Sequence, residues 1–242
     1  MSSDPWVIKI PGTPSGIVSF EDGSSVVVGN LTGIGKFGDF TLGQSDSKSI
    51  FIAKLNSDGD ITKAKEITLQ EKTKLNPIIS TNNNRDIVIG VGVYQDVYYE
   101  DLYFDNPSNL ILKLNENLET QWVKAIPGEP VKVYDSELRG LDISSDGDVV
   151  VTGSFYNNLT LGDDELVNIY SPSIFISKID KEGEFVWAIQ TDKKKDVQGN
   201  DVSFQSDGSI LVTGSFWNSI KVNGQEIYVG GRETRREISW RS

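Results

Sequence analysis

The sequence predicts an all-β protein made of repeated antiparallel sheets. Three observations support this prediction: a phrase recurs about every 61 residues, Asp-Gly pairs separate β-rich runs, and no segment keeps helical periodicity over eleven or more residues. Asp-Gly between two such runs favours a tight hairpin, because Gly tolerates positive φ and Asp can hydrogen-bond its own backbone. The chain is therefore expected to fold as a series of hairpins.

The first recurring phrase consists of a polar turn, a strand rich in Val or Ile, and a final glycine. Its copies are Glu21–Gly29, the degenerate Asn84–Gly92, Ser145–Gly153 and Ser206–Gly214. The final glycines are 63, 61 and 61 residues apart, so the copies keep a common register.

A second phrase follows each of the first three copies and combines an apolar strand, a lysine, a polar turn and another strand. The strand-and-turn copies are Ile50–Asp60, Leu110–Asn117 and Ile174–Glu184. The strands that follow them are Ile61–Lys65, Gln121–Ile126 and Phe185–Ile189. Each unit thus supplies four strands, named A to D in chain order, with A paired to B and C paired to D.

Four antiparallel strands per unit match a blade of a β-propeller better than a helical solenoid or an α/β fold. Apolar runs such as Val149–Val151 suit strands that are covered on both faces. We therefore expect a single β-propeller domain over residues 1–242 with about four four-stranded antiparallel blades. Its units are predicted near 13–69, 76–127, 139–191 and 200–242.

The amino-terminal segment repeats a predicted strand D. Trp6–Gly12 is identical to Trp122–Gly128 at five of seven positions. Residues 5–12 are therefore predicted to be a closing outer strand that completes the last unit and removes exposed edges. The charged residues 230–242 replace the apolar strand C expected there, which leaves three alternatives open. A four-bladed ring closes, the chain is part of a longer propeller, or two chains complete each other.

Two of these segments carry a family resemblance. Val151–Phe155 and Ile174–Ala188 resemble the bacterial β-propeller repeat family often called SBBP, and the resemblance extends over nearly the whole chain. It implies a propeller and a non-catalytic repeat array of an exported or surface protein, so an extracellular or surface location is suspected from it. The family supplies no catalytic residues to transfer.

Composition restricts the partners. The chain has 23 basic and 35 acidic residues, and its net charge of −12 disfavours nucleic acid and anionic lipid. No apolar stretch approaches the roughly 18 residues that membrane insertion requires, and Met1–Pro5 has no signal-peptide character. The absence of His and Cys excludes disulfides, thiolate nucleophiles, Ser-His-Asp triads and zinc sites built on these residues.

The candidate binding residues are Tyr156 and Trp217, which occupy matching positions just past strand B of two units. Aromatic side chains there could contact a sugar ring or a peptide. Packing between blades explains them as well, and we favour packing because buried aromatic side chains contribute much of the core area.

Three other patterns have a functional and a structural interpretation. The acidic turns at Asp58 and Asp60, Asp146 and Asp148, and Glu182 and Glu184 suggest calcium, but they coincide with hairpin turns, which we favour. The repeated lysines suggest an anion ring or, as we favour, a solvated edge; they are Lys54, Lys113 and Lys178. The acidic clusters suggest paired hydrolase carboxylates, but nothing singles out one pair; they are Glu100–Asp101 and Asp163–Glu165.

The resulting functional prediction is a non-enzymatic propeller that mediates protein–protein interaction in a surface or particle assembly. We expect a protein partner or a second copy of the chain, and no catalytic residue, cofactor or metal. The first alternative is a lectin-like propeller that binds glycans, and a less favoured one is a carboxylate-dependent glycoside hydrolase.

Overall fold

The computed structural model describes residues 6–68, 73–93, 96–105, 107–127, 136–167, 172–191, 197–217, 219–222, 225–228 and 235–241. In these ranges the chain forms β-strands and no α-helix, so the all-β prediction is confirmed. The same ranges contain no helix that is long and apolar enough to cross a membrane.

The strands fall into four successive units. The first contains β1 (Thr13–Ser19), β2 (Ser25–Thr32), β3 (Gly35–Phe37), β4 (Phe40–Leu42), β5 (Lys48–Leu55) and β6 (Ile61–Thr68). The second contains β7 (Thr73–Thr81), β8 (Ile87–Val93), β9 (Val97–Tyr99), β10 (Leu102–Phe104), β11 (Pro107–Leu114) and β12 (Thr120–Pro127).

The last two units continue this pattern. The third contains β13 (Glu137–Ile143), β14 (Val149–Phe155), β15 (Asn158–Leu161), β16 (Asp164–Val167), β17 (Ser173–Ile179) and β18 (Phe185–Gln190). The fourth contains β19 (Gln198–Phe204), β20 (Ile210–Trp217), β21 (Ser219–Val222), β22 (Gln225–Tyr228) and β23 (Arg235–Arg241).

The long strands of each unit form one antiparallel sheet in the order A-B-C-D. The first three sheets are β1-β2-β5-β6, β7-β8-β11-β12 and β13-β14-β17-β18, which confirms the predicted four-stranded antiparallel units. The described part of the fourth sheet is β19-β20-β23. Despite its charges, β23 therefore takes the position of strand C.

Each unit also contains a short hairpin between strands B and C that the sequence did not predict. These hairpins are β3-β4, β9-β10, β15-β16 and β21-β22. In the first three units, whose hairpin side chains are described, the inner side chains pack on the sheets, as Phe37 does on Phe51 with ring centroids 4.9 Å apart. Each hairpin therefore acts as a small second layer.

The turns between strands A and B follow the predicted chemistry. In the first turn the Phe20 amide donates to the Ser24 carbonyl, and Gly23 has φ of 82°. In the second unit Arg85 takes the place of this glycine and has φ of 65°. A non-glycine residue in this left-handed region is uncommon, which explains why the second turn was the least recognisable in the sequence.

The pairing register corrects one of the four sequence anchors. Gly29 pairs with Phe51 and Gly153 pairs with Phe175, but the residue in this position of the second sheet is Val91, which pairs with Leu110. The anchor Gly92 predicted from the sequence therefore lies one residue beyond the equivalent position, which is Val91. This position is a glycine–phenylalanine pair in the first and third sheets and a valine–leucine pair in the second. The two side chains of each pair therefore fill a comparable volume.

Successive sheets pack face to face through their apolar side chains. One cluster joins the first and second sheets and includes Val26, Val28, Ile87 and Ile89. A second joins the second and third sheets and includes Val88, Ile111, Val151 and Phe175. A third joins the third and fourth sheets and includes Val150, Ile174 and Val212. Both faces of the inner sheets are buried, as the near-continuous apolar runs predicted.

The A strands lie next to one another in the order β1, β7, β13 and β19. Asp142 on β13 connects three units along this row. Its Oδ1 accepts a hydrogen bond from Ser80 Oγ at 2.7 Å, and its Oδ2 accepts bonds from Ser203 Oγ at 3.1 Å and the Phe204 amide at 2.8 Å. The row is therefore held together by polar contacts as well as by the apolar clusters.

The four sheets form an open row, and the predicted ring closure is not observed. Among the described residues, no strand of the first unit makes extensive contact with a strand of the fourth. Residues 6–10 form no strand, and Ile8 and Ile10 pack on the first sheet instead of completing the last one. Residue 5 lies outside the described residues.

The repeated lysines are paired with turn residues, contrary to the solvated edge favoured from the sequence. The Lys113 ammonium lies 3.3 Å from Asp86 Oδ2 and donates to the Gly147 carbonyl at 3.1 Å, and its side chain is only 4% exposed. Lys178 lies 2.7 Å from Asp148 Oδ2, with its side chain 28% exposed. Lys54 donates to the Glu116 carbonyl of the second unit at 2.9 Å.

Candidate interaction surfaces

The two aromatic candidates end strand B in equivalent places. Tyr156 directly follows β14 and is half-buried, and the next residue, Asn157, has φ of 65°. Trp217 is the last residue of β20, and its side chain lies outside the described part of the structure. The two residues belong to different units and are not brought into one site, so their role as binding residues stays a prediction.

A more exposed aromatic pair lies on the hairpin of the second unit, and the sequence analysis missed it. Tyr98 on β9 pairs across the hairpin with Tyr103 on β10, and their ring centroids are 4.9 Å apart at an angle of 44°. Their exposed fractions are 52% and 51%. Leu102 beside them is also exposed, so the outer face of this hairpin is an aromatic and apolar surface.

Hydrogen bonding fixes the outer tyrosine. The Tyr103 hydroxyl donates to Asp96 Oδ2 at 2.8 Å. This hydrogen bond is the main cause that raises the pKa of Tyr103 to about 12, with smaller contributions from desolvation and from the charges of Asp96 and Asp105. The phenol therefore stays neutral at physiological pH and presents its ring in a defined orientation.

The tyrosine pair is peculiar to the second unit among the three hairpins whose side chains are described. The matching cross-strand pairs are Lys36 with Thr41 in the first unit and Thr160 with Glu165 in the third. Those residues are polar and exposed, as expected for the solvent face of a hairpin. Two tyrosines at this position therefore need an explanation other than folding of the hairpin.

A second candidate surface is the outward face of the first sheet, on which no sheet of the described part of the chain packs. It is covered by the first hairpin and by residues 8–10 of the amino-terminal segment. Beside that segment lies a groove of about 370 Å³ whose main apolar lining is Trp6, Ile8, Ile10, Ile17, Val27 and Leu55. Ile17 is 66% exposed at this groove, which is unusual for an isoleucine on a sheet face.

In two of the acidic turns, the side chain of the first residue accepts hydrogen bonds from backbone amides of the same turn. Asn56 Oδ1 accepts the amides of Asp58 and Asp60 at 3.0 and 2.8 Å. Asp180 Oδ1 accepts the amides of Glu182 and Glu184 at 3.1 and 2.8 Å. These contacts are those of a hairpin turn, and the described residues contain no group of three acidic side chains placed to hold one ion.

Two carboxylates considered for hydrolysis also hold structural contacts. Glu100 accepts hydrogen bonds from Thr120 Oγ1 at 2.8 Å and from the Lys65 ammonium at 3.1 Å. Partial burial raises the pKa of Glu100, but these two bonds, the charge of Lys65 and a hydrogen bond with Tyr99 together outweigh it, so the net pKa lies below its ordinary value. Asp164 Oδ2 accepts the Ala188 amide at 2.7 Å. Each thus anchors a hairpin to a neighbouring strand.

No protein-family model matches this chain, and no curated protein matches it. The resemblance to the bacterial propeller repeats therefore stays a prediction that rests on the repeated phrases quoted above.

Proposed function

We propose that this chain is a non-enzymatic repeat module, with its sheets arranged as blades of a β-propeller, that binds another protein chain in a surface or particle assembly. The observation that carries the proposal is the outward face of the first sheet. That face has the same composition as faces that are packed against a neighbouring sheet elsewhere in the molecule, but here a hairpin and a short segment are all that covers it among the described residues.

The equivalence of these faces can be followed residue by residue. Val27 and Phe51 of the first unit correspond in register to Val151 and Phe175 of the third. Val151 and Phe175 are buried against Val88 and Ile111 of the second sheet. A sheet face of this kind is stabilised by a second layer, and the exposed Ile17 lies where that layer is incomplete.

The proposal can be tested by selecting ligands for this face. A random-peptide display library is selected on the immobilised chain, and the dissociation constants of the enriched peptides are measured by interferometry. We expect Ile17→Glu to weaken binding at least about tenfold, because a carboxylate in an apolar contact loses its hydration. The substitution is on an exposed side chain, so the fold should be retained.

Val186→Glu is the matched control, since Val186 is 53% exposed on β18 and lies away from the groove. Peptides that bind equally to the wild type and to both variants would contradict the proposal. Turnover of any glycoside in a broad panel would contradict its non-enzymatic part.

The exposed tyrosine pair favours glycan binding as a second candidate function. Aromatic rings present an apolar face to the carbon–hydrogen side of a sugar, and the rings of Tyr98 and Tyr103 are about half exposed. A glycan array should give signals that disappear with Tyr98→Ala and Tyr103→Ala and persist with Lys36→Ala on the first hairpin. Signals that survive both tyrosine substitutions would contradict this candidate.

A further inference from the structure

We propose that the outer face of the hairpin β9-β10 binds an arginine-rich segment of a protein partner. The site lies on the second unit, away from the outward face of the first sheet, so it goes beyond the proposed function and adds the charge of a partner. The hairpin combines two properties that such a segment recognises: exposed aromatic rings and an excess of carboxylates.

The aromatic part of the site is the tyrosine pair. The rings of Tyr98 and Tyr103 are tilted by 44° with centroids 4.9 Å apart, and each residue is about half exposed. Leu102 beside them is 49% exposed. A planar guanidinium packs on the face of a phenol ring and keeps its N–H groups for other acceptors. The pair therefore offers the surface on which arginine side chains pack best.

The charged part of the site comes from the same ten residues. Residues 96–105 contain four acidic residues and no basic residue, and all four acidic residues are exposed; they are Asp96, Glu100, Asp101 and Asp105. Lys65 contacts Glu100 from the sheet side and offsets one of these charges. Carboxylates are the acceptors that a guanidinium binds with two parallel hydrogen bonds. The hairpin thus complements a positively charged partner.

The carboxylates and the rings lie on one face. Asp96 precedes Tyr98 by two residues and Asp105 follows Tyr103 by two, so strand alternation places both carboxylates on the tyrosine side. The Tyr103 hydroxyl donates to Asp96 Oδ2. Besides this hydrogen bond, which is the main cause, the charges of Asp96 and Asp105 contribute to the raised pKa of Tyr103. A field that disfavours a phenolate favours a cation at the same place.

The other hairpins whose side chains are described have at most one of these properties. Residues 158–167 of the third unit include Asp163–Glu165 but no aromatic residue. In the first hairpin Lys36 balances Asp39, and the rings of Phe37 and Phe40 are buried or half-buried. Folding of a hairpin therefore requires neither exposed tyrosines nor their combination with an acidic surface.

Arginine uses both parts of this surface at once. A neutral sugar would pack on the rings but would gain nothing from the negative charges, and a lysine ammonium would pair with the carboxylates without packing flat on a ring. One cation–π contact or one exposed ion pair is weak, so measurable affinity requires several arginines in one segment.

Fluorescence polarisation tests the proposal with a labelled peptide of alternating arginine and serine. The matched control peptide has citrulline in place of every arginine, which keeps the planar shape of the side chain and removes its charge. We expect the arginine peptide to bind, the citrulline peptide not to bind, and the affinity of the arginine peptide to fall as the salt concentration rises.

Variants of the chain locate the site. Tyr98→Leu keeps an apolar side chain and removes the ring, and it should weaken binding of the arginine peptide about fivefold. Asp101→Asn combined with Asp105→Asn should weaken it about tenfold at low salt and less at high salt. Asp163→Asn combined with Glu165→Gln is the matched control on the third hairpin, because it also removes two charges, and it should change the affinity less than about twofold. Melting temperatures of the variants verify that each is folded.

Three results would overturn the proposal. Equal weakening by the two charge variants, with no effect of Tyr98→Leu, would show general adsorption to an acidic surface. A neutral glycan that binds through both tyrosines and is not displaced by the arginine peptide would make the pair a sugar site. Loss of arginine-peptide binding on Ile17→Glu would place the site on the first sheet.

Failure of this proposal is distinguishable from failure of the proposed function. The peptides selected from the random library depend on Ile17 of the first unit, whereas the arginine peptide depends on Tyr98 of the second. If the arginine peptide does not bind but library peptides still lose affinity on Ile17→Glu, the arginine site is wrong and the proposed function stands.

Discussion

The second and third units build the same sheet with different residues. Where the third has Gly153 opposite Phe175, the second has Val91 opposite Leu110. A side chain at Gly153 would meet the Glu137 carbonyl of β13, whereas the register of β7 skips from Lys74 to Ile78 and leaves no partner opposite Val91. The two units differ likewise in charge burial, since Lys113 is enclosed and Lys178 is partly exposed.

This difference shows that the units share the strand pairing and the volume filled by each cross-strand pair more strictly than they share residue type. A large side chain is tolerated on strand B where strand A moves away, and a glycine is required where strand A stays close. The same reasoning predicts which substitutions one unit accepts and its neighbour does not.

The largest effect is expected from Gly153→Val. The new side chain would overlap the Glu137 carbonyl and lie against the Phe175 ring, so we expect a loss of about 3 kcal/mol in the free energy of unfolding. Adding Phe175→Leu should recover less than about 1 kcal/mol, because the backbone of β13 remains in place. Urea unfolding measures both variants. Full recovery in the double variant would show that side-chain crowding, not strand proximity, separates the two units.

A smaller difference is expected between the two lysines. Lys113→Met should cost about 2 kcal/mol, because the Lys113 side chain is enclosed and its removal leaves both the Asp86 carboxylate and the Gly147 carbonyl without their donor. Lys178→Met should cost less than about 1 kcal/mol, since the Lys178 side chain is partly exposed and its ion pair is already screened by water. Thermal and urea unfolding of the two variants provide the comparison. Equal losses in the free energy of unfolding would mean that burial of the lysine does not set the contribution of its ion pair.

The contacts that join the units should contribute less than the buried Lys113 pair and more than the partly exposed Lys178 pair. Asp142→Ala removes three hydrogen bonds between β13 and its neighbours and leaves the Phe204 amide with no side-chain acceptor there. We expect a loss of about 1.5 kcal/mol in urea unfolding. Ser80→Ala, which removes one of these bonds, should cost about 0.5 kcal/mol. A larger loss of stability for Ser80→Ala than for Asp142→Ala would contradict the assignment of these three hydrogen bonds to Asp142.

The smallest effect concerns Arg85, which the second unit has where the third has Gly147. Hydrogen bonds from Ser24 and Arg85 lower the pKa of Asp22 well below its ordinary value. A lowered pKa in the folded state stabilises the protein above the unfolded-state value of about 4, and this contribution is lost as the pH falls further. The melting temperature of the wild type should therefore exceed that of Asp22→Asn at pH 7, and the gap should narrow below pH 4. A gap independent of pH would contradict this.

Sequence reasoning recovered the long strands because their turns and apolar runs repeat. It missed the inserted hairpins since strands of three or four residues, such as Gly35–Phe37, are too short to show alternation. It placed the anchor of the second unit one residue too late, because Arg85 stands where the other units have the turn glycine used to align them. The tyrosine pair was detectable only as Tyr98 and Tyr103 on either side of a polar turn.

The inserted hairpins have an exposed face that is separate from the sheets below them. Their outer residues contribute little to the sheets, so a hairpin such as β9-β10 can change its exposed side chains while the strand register below it is retained. Each unit thereby offers one replaceable surface on a common frame. For protein engineering, the exposed tips at Gly38–Asp39 and Gly162–Asp163 are the natural places to graft or lengthen a loop. For evolution, the same arrangement allows the exposed side chains of one hairpin to change while those of the other hairpins are retained.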